Sequence, residues 1–497
     1  MEAVYKSYYT KSVHITDYMV RKLSVTDRSF ILEPCAGDGV FIDAVLNMEP
    51  NSKIDGYELN PSAYKILKEK YSNIPNISIE LDDTLTSREL SAKSASGGYY
   101  DRIIANPPYG GWQDYEKRKS LRKIYKDLYV RETYTLFLYR CISLLKNKGI
   151  LVFIIPDTYL HLHMHTKLRE YILTNTKVEE IALFPSSFFP GVDFGYANLS
   201  IITLQKSTNK KACLANKVKV VTGFKKVQEL MAGAGKQVFV FSQEQLLRNT
   251  NHVLYITENP LVISLIKSCP KTIGDIAHCV TGFYSGNDKT FLRSASSTHR
   301  NCHKYLPVDP DKVCTAYNSI PNILNGIDDE KCFIPIVKGG AVKYYKKNDW
   351  FMDWSTKAVK HYKTDKKARF QNSDFYFKSG IGIPMVSSTK ITGALIDNRL
   401  FDQSIVGVFP DNEKWVYFLL AFFNSPTCNT LIRTINRTTN NSANYIKKIP
   451  FIEPSEVVLS QITKHTIDIV QDLKRKNTHD IKKEETVNQL IRELYGF

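Results

Sequence analysis

A chain of 497 residues with 67 Lys and Arg against 50 Asp and Glu, a formal charge of +17, is long enough for two or three domains with ample cores. The positive excess points to a polyanionic partner, nucleic acid before membrane; the longest apolar run, Trp415 to Phe423, is too short to span a bilayer, and Met1 to Ser12 is polar with no signal-peptide core. Nine cysteines without a Cys-x-x-Cys pair argue against a disulfide framework and fit a reducing, cytoplasmic setting.

From Phe30 to Leu204 strand-like and helix-like segments alternate, the pattern of a parallel α/β sheet. Phe30 to Glu33 reads as a strand that breaks into Pro34-Cys35-Ala36-Gly37-Asp38-Gly39, followed by a helix from Val40. Glycines at such a turn let a ligand approach the backbone beside a helix N-terminus. Lys53 to Leu59 is a second strand, and its Glu58 falls where a carboxylate can hold ribose hydroxyls in a Rossmann-like site. Asn76 to Leu81 is a third strand, ending in Asp82-Asp83. An acidic strand end or a glycine turn alone is commonplace, but an ordered set on one sheet edge marks a ligand site.

The fourth strand, Ile103-Ile104-Ala105, runs into Asn106-Pro107-Pro108-Tyr109-Gly110-Gly111. Proline fixes φ and removes a competing donor, and a residue before proline is held extended. The Asn106 amide oxygen, the Pro107 carbonyl and the Tyr109 ring can then converge on a planar substrate bearing an NH2 group. Two fixed acceptors would draw the amine nitrogen toward tetrahedral geometry and stabilise the positive charge that develops on methyl transfer. Tyr109 would stack on the base and add a cation–π contribution. Taken alone, the segment is a proline-rich turn closing a strand, so the context must decide.

Together, Leu32 to Phe41 and Asn106-Pro107-Pro108-Tyr109 resemble a gamma-class DNA adenine-N6 methyltransferase of the TaqI type. The resemblance implies a Rossmann-like S-adenosylmethionine-dependent catalytic domain over residues 1–245. A mixed α+β target-recognition domain with a C-terminal helical segment would follow over 255–497. Tyr8-Tyr9-Thr10-Lys11-Ser12 matches the family's upstream cofactor motif, with Lys11 where proline is usual. By the resemblance Asn106, Pro107, Pro108 and Tyr109 are catalytic. Thr10, Glu33, Pro34, Ala36, Gly37, Gly39, Glu58, Asp83, Asn106 and Phe137 would contact the cofactor, Glu58 through the ribose and Asp83 through the adenine amine. Phe137 would pack on the cofactor adenine or else lie in the core of a helix from Tyr134 to Leu145. Tyr109 and Phe189, with Phe188 as the alternative, would sandwich an adenine extruded from duplex DNA. No metal is expected. The partner is double-stranded DNA, with a restriction endonuclease or another defence component beside it, and no membrane.

Gly110-Gly111-Trp112 and the basic run Lys117 to Tyr129 suit a loop that closes over an extruded nucleotide and touches phosphates, or simply a solvated helix face. Gly149 to Pro156, Lys177 to Leu183 and Tyr196 to Leu204 read as further strands, with Ser187-Phe188-Phe189-Pro190-Gly191 between the last two. The polar stretch Ser207 to Lys211 opens the domain boundary, which closes by Pro260. Beyond it, Ile381 to Ser387 and Ser404 to Phe409 read as strands and Asn412 to Thr434 as one helix. Basic and aromatic residues interleave in Lys338 to Lys347 and Lys357 to Arg369, which suits phosphate contacts. His278-Cys279 and His299, Cys302, His303 fit no standard zinc spacing. Pro156-Asp157 with Glu179 and Glu180 only superficially echoes a metal nuclease. Alternatives to adenine in DNA are cytosine-N4, a base in RNA, a protein glutamine amide, or a non-catalytic DNA-binding specificity protein on the same fold.

Overall fold

Alternation along the strands organises the first half of the chain. The computed structural model describes residues 10–110, 115–189, 198–232, 235, 237–257, 259–295, 301–387 and 390–497, and the chain divides into two units, Met1–Ile256 and Thr257–Phe497.

In the first unit the helices are α1 (Val13–Leu23), α2 (Val40–Met48), α3 (Pro61–Lys70), α4 (Arg88–Ala95), α5 (Tyr115–Ile124), α6 (Thr133–Leu144) and α7 (Thr166–Asn175), with shorter turns beyond. The strands are β1 (Phe30–Glu33), β2 (Lys53–Glu58), β3 (Ile77–Leu81), β4 (Tyr100–Ala105), β5 (Leu145–Pro156), β6 (Thr176–Phe184), β7 (Leu199–Lys206), β8 (Lys217–Thr222) and β9 (Gln237–Ser242). They form one sheet in the order β3-β2-β1-β4-β5-β7-β6-β8-β9. Because side chains alternate across a strand, Ile31, Ile104, Val152 and Ile154 enter a core with α1, α2 and α3. Their neighbours Leu32, Ile103, Leu151 and Phe153 enter the opposite core, with α4 to α7. Each buried leucine or isoleucine contributes roughly 1.5–3 kcal/mol, so two-sided burial accounts for the near-continuous apolar runs of β4 and β5. This is a Rossmann-like α/β fold, with helices on both faces of the sheet.

The sheet is not wholly parallel. β7 runs antiparallel to both β5 and β6, and β9 antiparallel to β8. Parallel neighbours need a long crossover, usually a helix. Between β6 and β7 the described residues hold only the short 3-10 turn Ser186–Phe188, so β7 enters in the opposite sense. Tyr196, read from sequence as the start of this strand, lies outside the described residues, as do Tyr8, Tyr9, Gly111, Trp112, Pro190, Gly191 and His299.

The acidic pair of β6 has a structural explanation. Glu180 accepts from the Tyr18 hydroxyl at 2.5 Å and from Lys22 and Lys219 at 2.6 and 3.0 Å, which ties α1 to the sheet. Burial opposes its charge, but these donors hold the carboxyl below its ordinary value. Among the described residues no group of three His, Cys, Asp or Glu side chains could hold a metal ion, and no helix is long and apolar enough to cross a membrane.

The second unit is α+β. One five-stranded sheet has the order Ala277–Thr281, Ile405–Pro410, Ile381–Pro384, Ala394–Leu395, Tyr344–Tyr345. The other runs Leu306–Pro307, Leu292–Ser294, Trp350–Asp353, Phe333–Val337, Leu400–Phe401. The first packs with the helices Glu456–Lys476 and Ile481–Leu494, and the second around Phe283, Trp354 and Tyr362. The single helix expected from Asn412 to Thr434 is two, Trp415–Asn424 and Pro426–Ile435. Continuous apolar periodicity hides the break, but Ser425-Pro426 announces it: Ser425 caps the second helix, accepting from Cys428 N–H at 3.1 Å, and Pro426 occupies its first turn. Ser425→Ala is expected to cost about 1 kcal/mol, read as a lower denaturant midpoint for the full chain. An unchanged midpoint would show that the cap contributes nothing.

Candidate active site

Strand order reverses between β1 and β4: β2 and β3 lie on one side of β1, β4 and β5 on the other. Crossovers leave in opposite directions there and open a crevice at the carboxyl edge, the position where ligands bind in such sheets. The glycine turn leaves β1 on one side of this crevice and the Asn106 corner leaves β4 on the other.

The strand ends are stitched together. The Ala36 N–H donates to the Tyr57 carbonyl at 2.9 Å. Glu58 accepts from Gly37 N–H at 2.8 Å with one oxygen and from Asn60 N–H at 2.7 Å with the other. Thr84 donates to the Pro34 carbonyl at 2.6 Å, and the Cys35 thiol to the Asn106 carbonyl at 3.5 Å. These contacts join β1 to β2, β3 and β4 in turn. Gly39 sits at φ +78° as the N-cap of α2, and an added Cβ would collide with the Tyr71 hydroxyl, so glycine is required there.

The Asn106 side chain donates from Nδ2 to the Thr10 hydroxyl at 3.1 Å, and Thr10 is itself buried. That bond fixes the amide plane and turns Oδ1 to the other side. Pro107 is buried, whereas Asn106, Pro108 and Tyr109 are half-buried, and Tyr109 packs against both cores of the sheet. The turn is backed by Gly110, where a Cβ would approach the Arg131 carbonyl to 2.6 Å. Behind it Glu132 accepts from the Tyr134 hydroxyl at 3.0 Å and contacts His165 Nε2 at 2.8 Å.

The remaining expected contacts are arranged less simply. Asp83 accepts from Leu85 N–H at 3.0 Å and pairs with Lys117 of α5, so a ligand amine would share this carboxylate with an ammonium group. Phe137 is 6 % exposed, in the core of α6 beside Leu136 and Leu138. Phe189 is 1 % exposed, in the core that holds Ile15 and Phe184, while Phe188 is half-buried and stacks on Phe184 with ring centroids 6.0 Å apart. Of the two rings, Phe188 is the one with exposed surface. α5 buries Leu121 and exposes Lys119, Arg122 and Lys123. The sequence reading missed Cys35, Thr84, Lys117 and Glu132. Cys35 lies inside the glycine turn, Thr84 follows Asp82-Asp83 and Lys117 opens the basic run, so each stood beside a feature that could have flagged it.

Carboxyl groups gather at this edge of a chain whose formal charge is +17. Glu33 is 2 % exposed, and its Oε2 has no partner among the described residues. Burial, with Asp38, Glu58 and Asp43 nearby, pushes its carboxyl well above the ordinary range. Burial also raises Glu58, against the pull of the Asn60 and Gly37 N–H groups. The Cys35 thiol is pushed up by burial and by Glu33 and Glu58, which leaves it protonated and unreactive.

Comparison with known proteins bears on this same segment. Residues 15–189 match the Eco57I restriction-modification methylase family. Over 208 residues the chain is 26 % identical to the Type II methyltransferase M.AccI of Acinetobacter calcoaceticus, covering 40 % of this chain and 37 % of that protein. Over 383 residues it is 23 % identical to the adenine-specific methyltransferase BrxX of Escherichia coli O9:H4 (strain HS), covering 74 % of this chain and 29 % of BrxX. The chain thus spans about a third of the length of these curated relatives. A nuclease-deletion mutant of the Type ISP restriction-modification enzyme LlaGI, solved with a DNA substrate mimic, is 12 % identical and superposes with a TM-score of 0.57. That alignment covers 94 % of this chain and 55 % of the LlaGI chain, a likeness of fold.

A carboxyl raised in the folded state contributes stability that is complete below its unfolded value and is lost as pH rises through the folded value. Glu33→Gln is therefore expected to melt above the wild type near neutrality, by on the order of a few degrees. The gap should close as pH falls towards about 4. A pH-independent gap would show that Glu33 titrates as an ordinary carboxyl.

Proposed function

We propose that the chain is a site-specific DNA methyltransferase of the gamma-class, TaqI-like type, which transfers a methyl group from S-adenosylmethionine to N6 of an adenine extruded from duplex DNA. It would serve as the modification component of a restriction-modification or phage-defence system, or as an orphan methylase. The first unit carries the transfer and the second recognises the target. The observation that carries the reading is the juxtaposition across one crevice of the Glu58-tethered glycine turn and the Asn106 corner, joined by the Cys35–Asn106 contact. The match of residues 15–189 to a restriction-modification methylase family and the adenine specificity in the name of BrxX support it.

The pocket edge fits the proposed donor. S-adenosylmethionine carries an ammonium and a sulfonium, and Glu33, with an orphaned buried oxygen, stands among Asp38, Asp43 and Glu58. When bound it supplies an electrophilic methyl. Gly37, Gly39, Ala36 and Pro34 would flank its methionine part, with Glu33 and Thr10 beside them, while Glu58 takes the ribose and Asp83 the adenine amine. Phe137 would line the adenine.

The chain's own residues do the rest. Asn106 Oδ1 and the Pro107 carbonyl accept the two hydrogens of the target amine and bring its lone pair into line with the methyl. Pro108 keeps the corner rigid, and Tyr109 stacks on the base. Phe188 or Phe189 closes the opposite face. Thr10 keeps the amide from rotating, and the cationic face of α5 meets phosphates.

Asn106→Ala is expected to lower methyl incorporation into duplex DNA on the order of 10²–10³-fold or more, while S-adenosylmethionine affinity, read by calorimetry, stays within a few-fold. Undiminished turnover would refute the catalytic corner, and loss of binding alone would make Asn106 a cofactor residue only.

A further inference from the structure

The second unit contains an open cleft of about 570 Å³ lined by Arg369, Gln371, Met385, Val386 and Gln403 beside the Gly339-Gly340 loop. We infer that this cleft reads base edges of duplex DNA, with Arg369 and Gln403 discriminating between bases. The inference rests on the proposed DNA substrate and goes beyond it by naming the reading surface.

Arg369 is held by its backbone and free at its tip. Its N–H donates to the Tyr284 carbonyl at 2.8 Å, and its own carbonyl accepts from Tyr284 N–H at 3.2 Å. Its guanidinium is exposed and has no hydrogen bond or ion pair among the described residues. The other described arginines of this unit are engaged: Arg293, Arg399, Arg433, Arg475 and Arg492 bond within the fold, and Arg437 has a partner too. A fixed backbone with an unspent five-donor fork suits the O6 and N7 acceptors of guanine.

The other polar groups are fixed as well. Gln371 donates from Nε2 to the Thr281 hydroxyl at 3.0 Å and the Gly282 carbonyl at 3.2 Å, which leaves its amide oxygen as an acceptor for an exocyclic amine. Gln403 is anchored by its N–H on the Phe283 carbonyl at 2.8 Å, and its half-buried amide has no partner among the described residues. An amide of this kind can serve adenine in bidentate fashion. Val386, 67 % exposed, with Met385, supplies apolar surface for a thymine methyl. The rim is rigid: Lys338 bridges Asp288 and Asp402 at 2.8 and 2.9 Å, Lys346 donates to the Lys338 and Gly339 carbonyls, and Gly339 N–H donates to Ser404 Oγ at 3.2 Å.

Phosphate contacts stand next to the cleft. Asp365 accepts from Lys367 N–H at 2.6 Å, forming a turn that presents Lys366 and Lys367, both exposed, two and three residues before Arg369. The chain's formal charge of +17 and the proposed duplex substrate favour DNA over an acidic peptide as the occupant. Base edges offer donors, acceptors and methyls together, so the mixture favours DNA.

The test is selection of duplexes from a random-core pool by the full chain, followed by sequencing of what is bound. The wild type is expected to enrich a defined word. Arg369→Ala and Gln403→Ala should each erase the preference at a distinct position, by about tenfold to a hundredfold, with a smaller change in affinity for unrelated duplex. The pair Lys366→Ala and Lys367→Ala should instead weaken all sequences alike and flatten the salt dependence by about two units of log–log slope. The inference is overturned when the wild type enriches no word, or when both single variants keep the wild-type word intact. Methyl incorporation into the same pool judges the transferase separately: a chain that selects a word but methylates nothing keeps this inference and loses the proposed reaction.

Discussion

Where strand order turns back on itself between β1 and β4, two chain exits leave neighbouring strands on the same edge and diverge to opposite faces of the sheet. The divergence opens a crevice that backbone geometry alone would leave loose. Three side chains close the looseness: Glu58 bridges two backbone N–H groups, Thr84 holds the Pro34 carbonyl and Cys35 holds the Asn106 carbonyl. Each bond is worth only about 1 kcal/mol net. Together they set the spacing between the glycine turn and the Asn106 corner, and any chemistry placed there depends on that spacing to a fraction of an ångström.

The carboxylates of this edge therefore do two things at once. Glu58 accepts backbone N–H groups with both oxygens, and a carboxylate has lone pairs left for hydroxyl donors. Asp83 caps its own turn and carries the Lys117 ammonium. Glu33 differs in kind, since it is buried with an oxygen that finds no partner among the described residues. Keeping such a group buried costs free energy that the rest of the fold must offset.

The first unit was legible because its signals are local. A strand, a turn and a helix follow one another within ten residues at Phe30 to Val40, and β1 and α2 begin where the pattern placed them. Asn106-Pro107-Pro108-Tyr109 is legible for the same reason, since proline acts on its immediate neighbours. The direction of β7 was not legible, because it depends on whether a crossover helix intervenes and not on the strand's own residues. Lys117 was invisible as a partner of Asp83, thirty-four positions away in sequence. The ring choice between Phe188 and Phe189 turns on which face of a short turn meets the core, which two adjacent identical residues cannot signal.

In the second unit the interleaving of basic and aromatic residues overstated how much of it faces solvent. Tyr344 is fully buried, Lys346 spends its ammonium on the Lys338 and Gly339 carbonyls, and Lys338 is locked between two aspartates. Arg399, 3 % exposed, donates to the carbonyls of Lys346, Ile396 and Leu395. Charge of this kind is structural cement and has little reach toward a distant phosphate. The charge available to a polyanion is the remainder, carried by exposed side chains such as Lys366, Lys367 and Arg369, the last two on backbone N–H groups that are hydrogen-bonded. Counting lysines in a sequence measures the sum of the two populations; only the hydrogen-bond partners of each ammonium and guanidinium separate them.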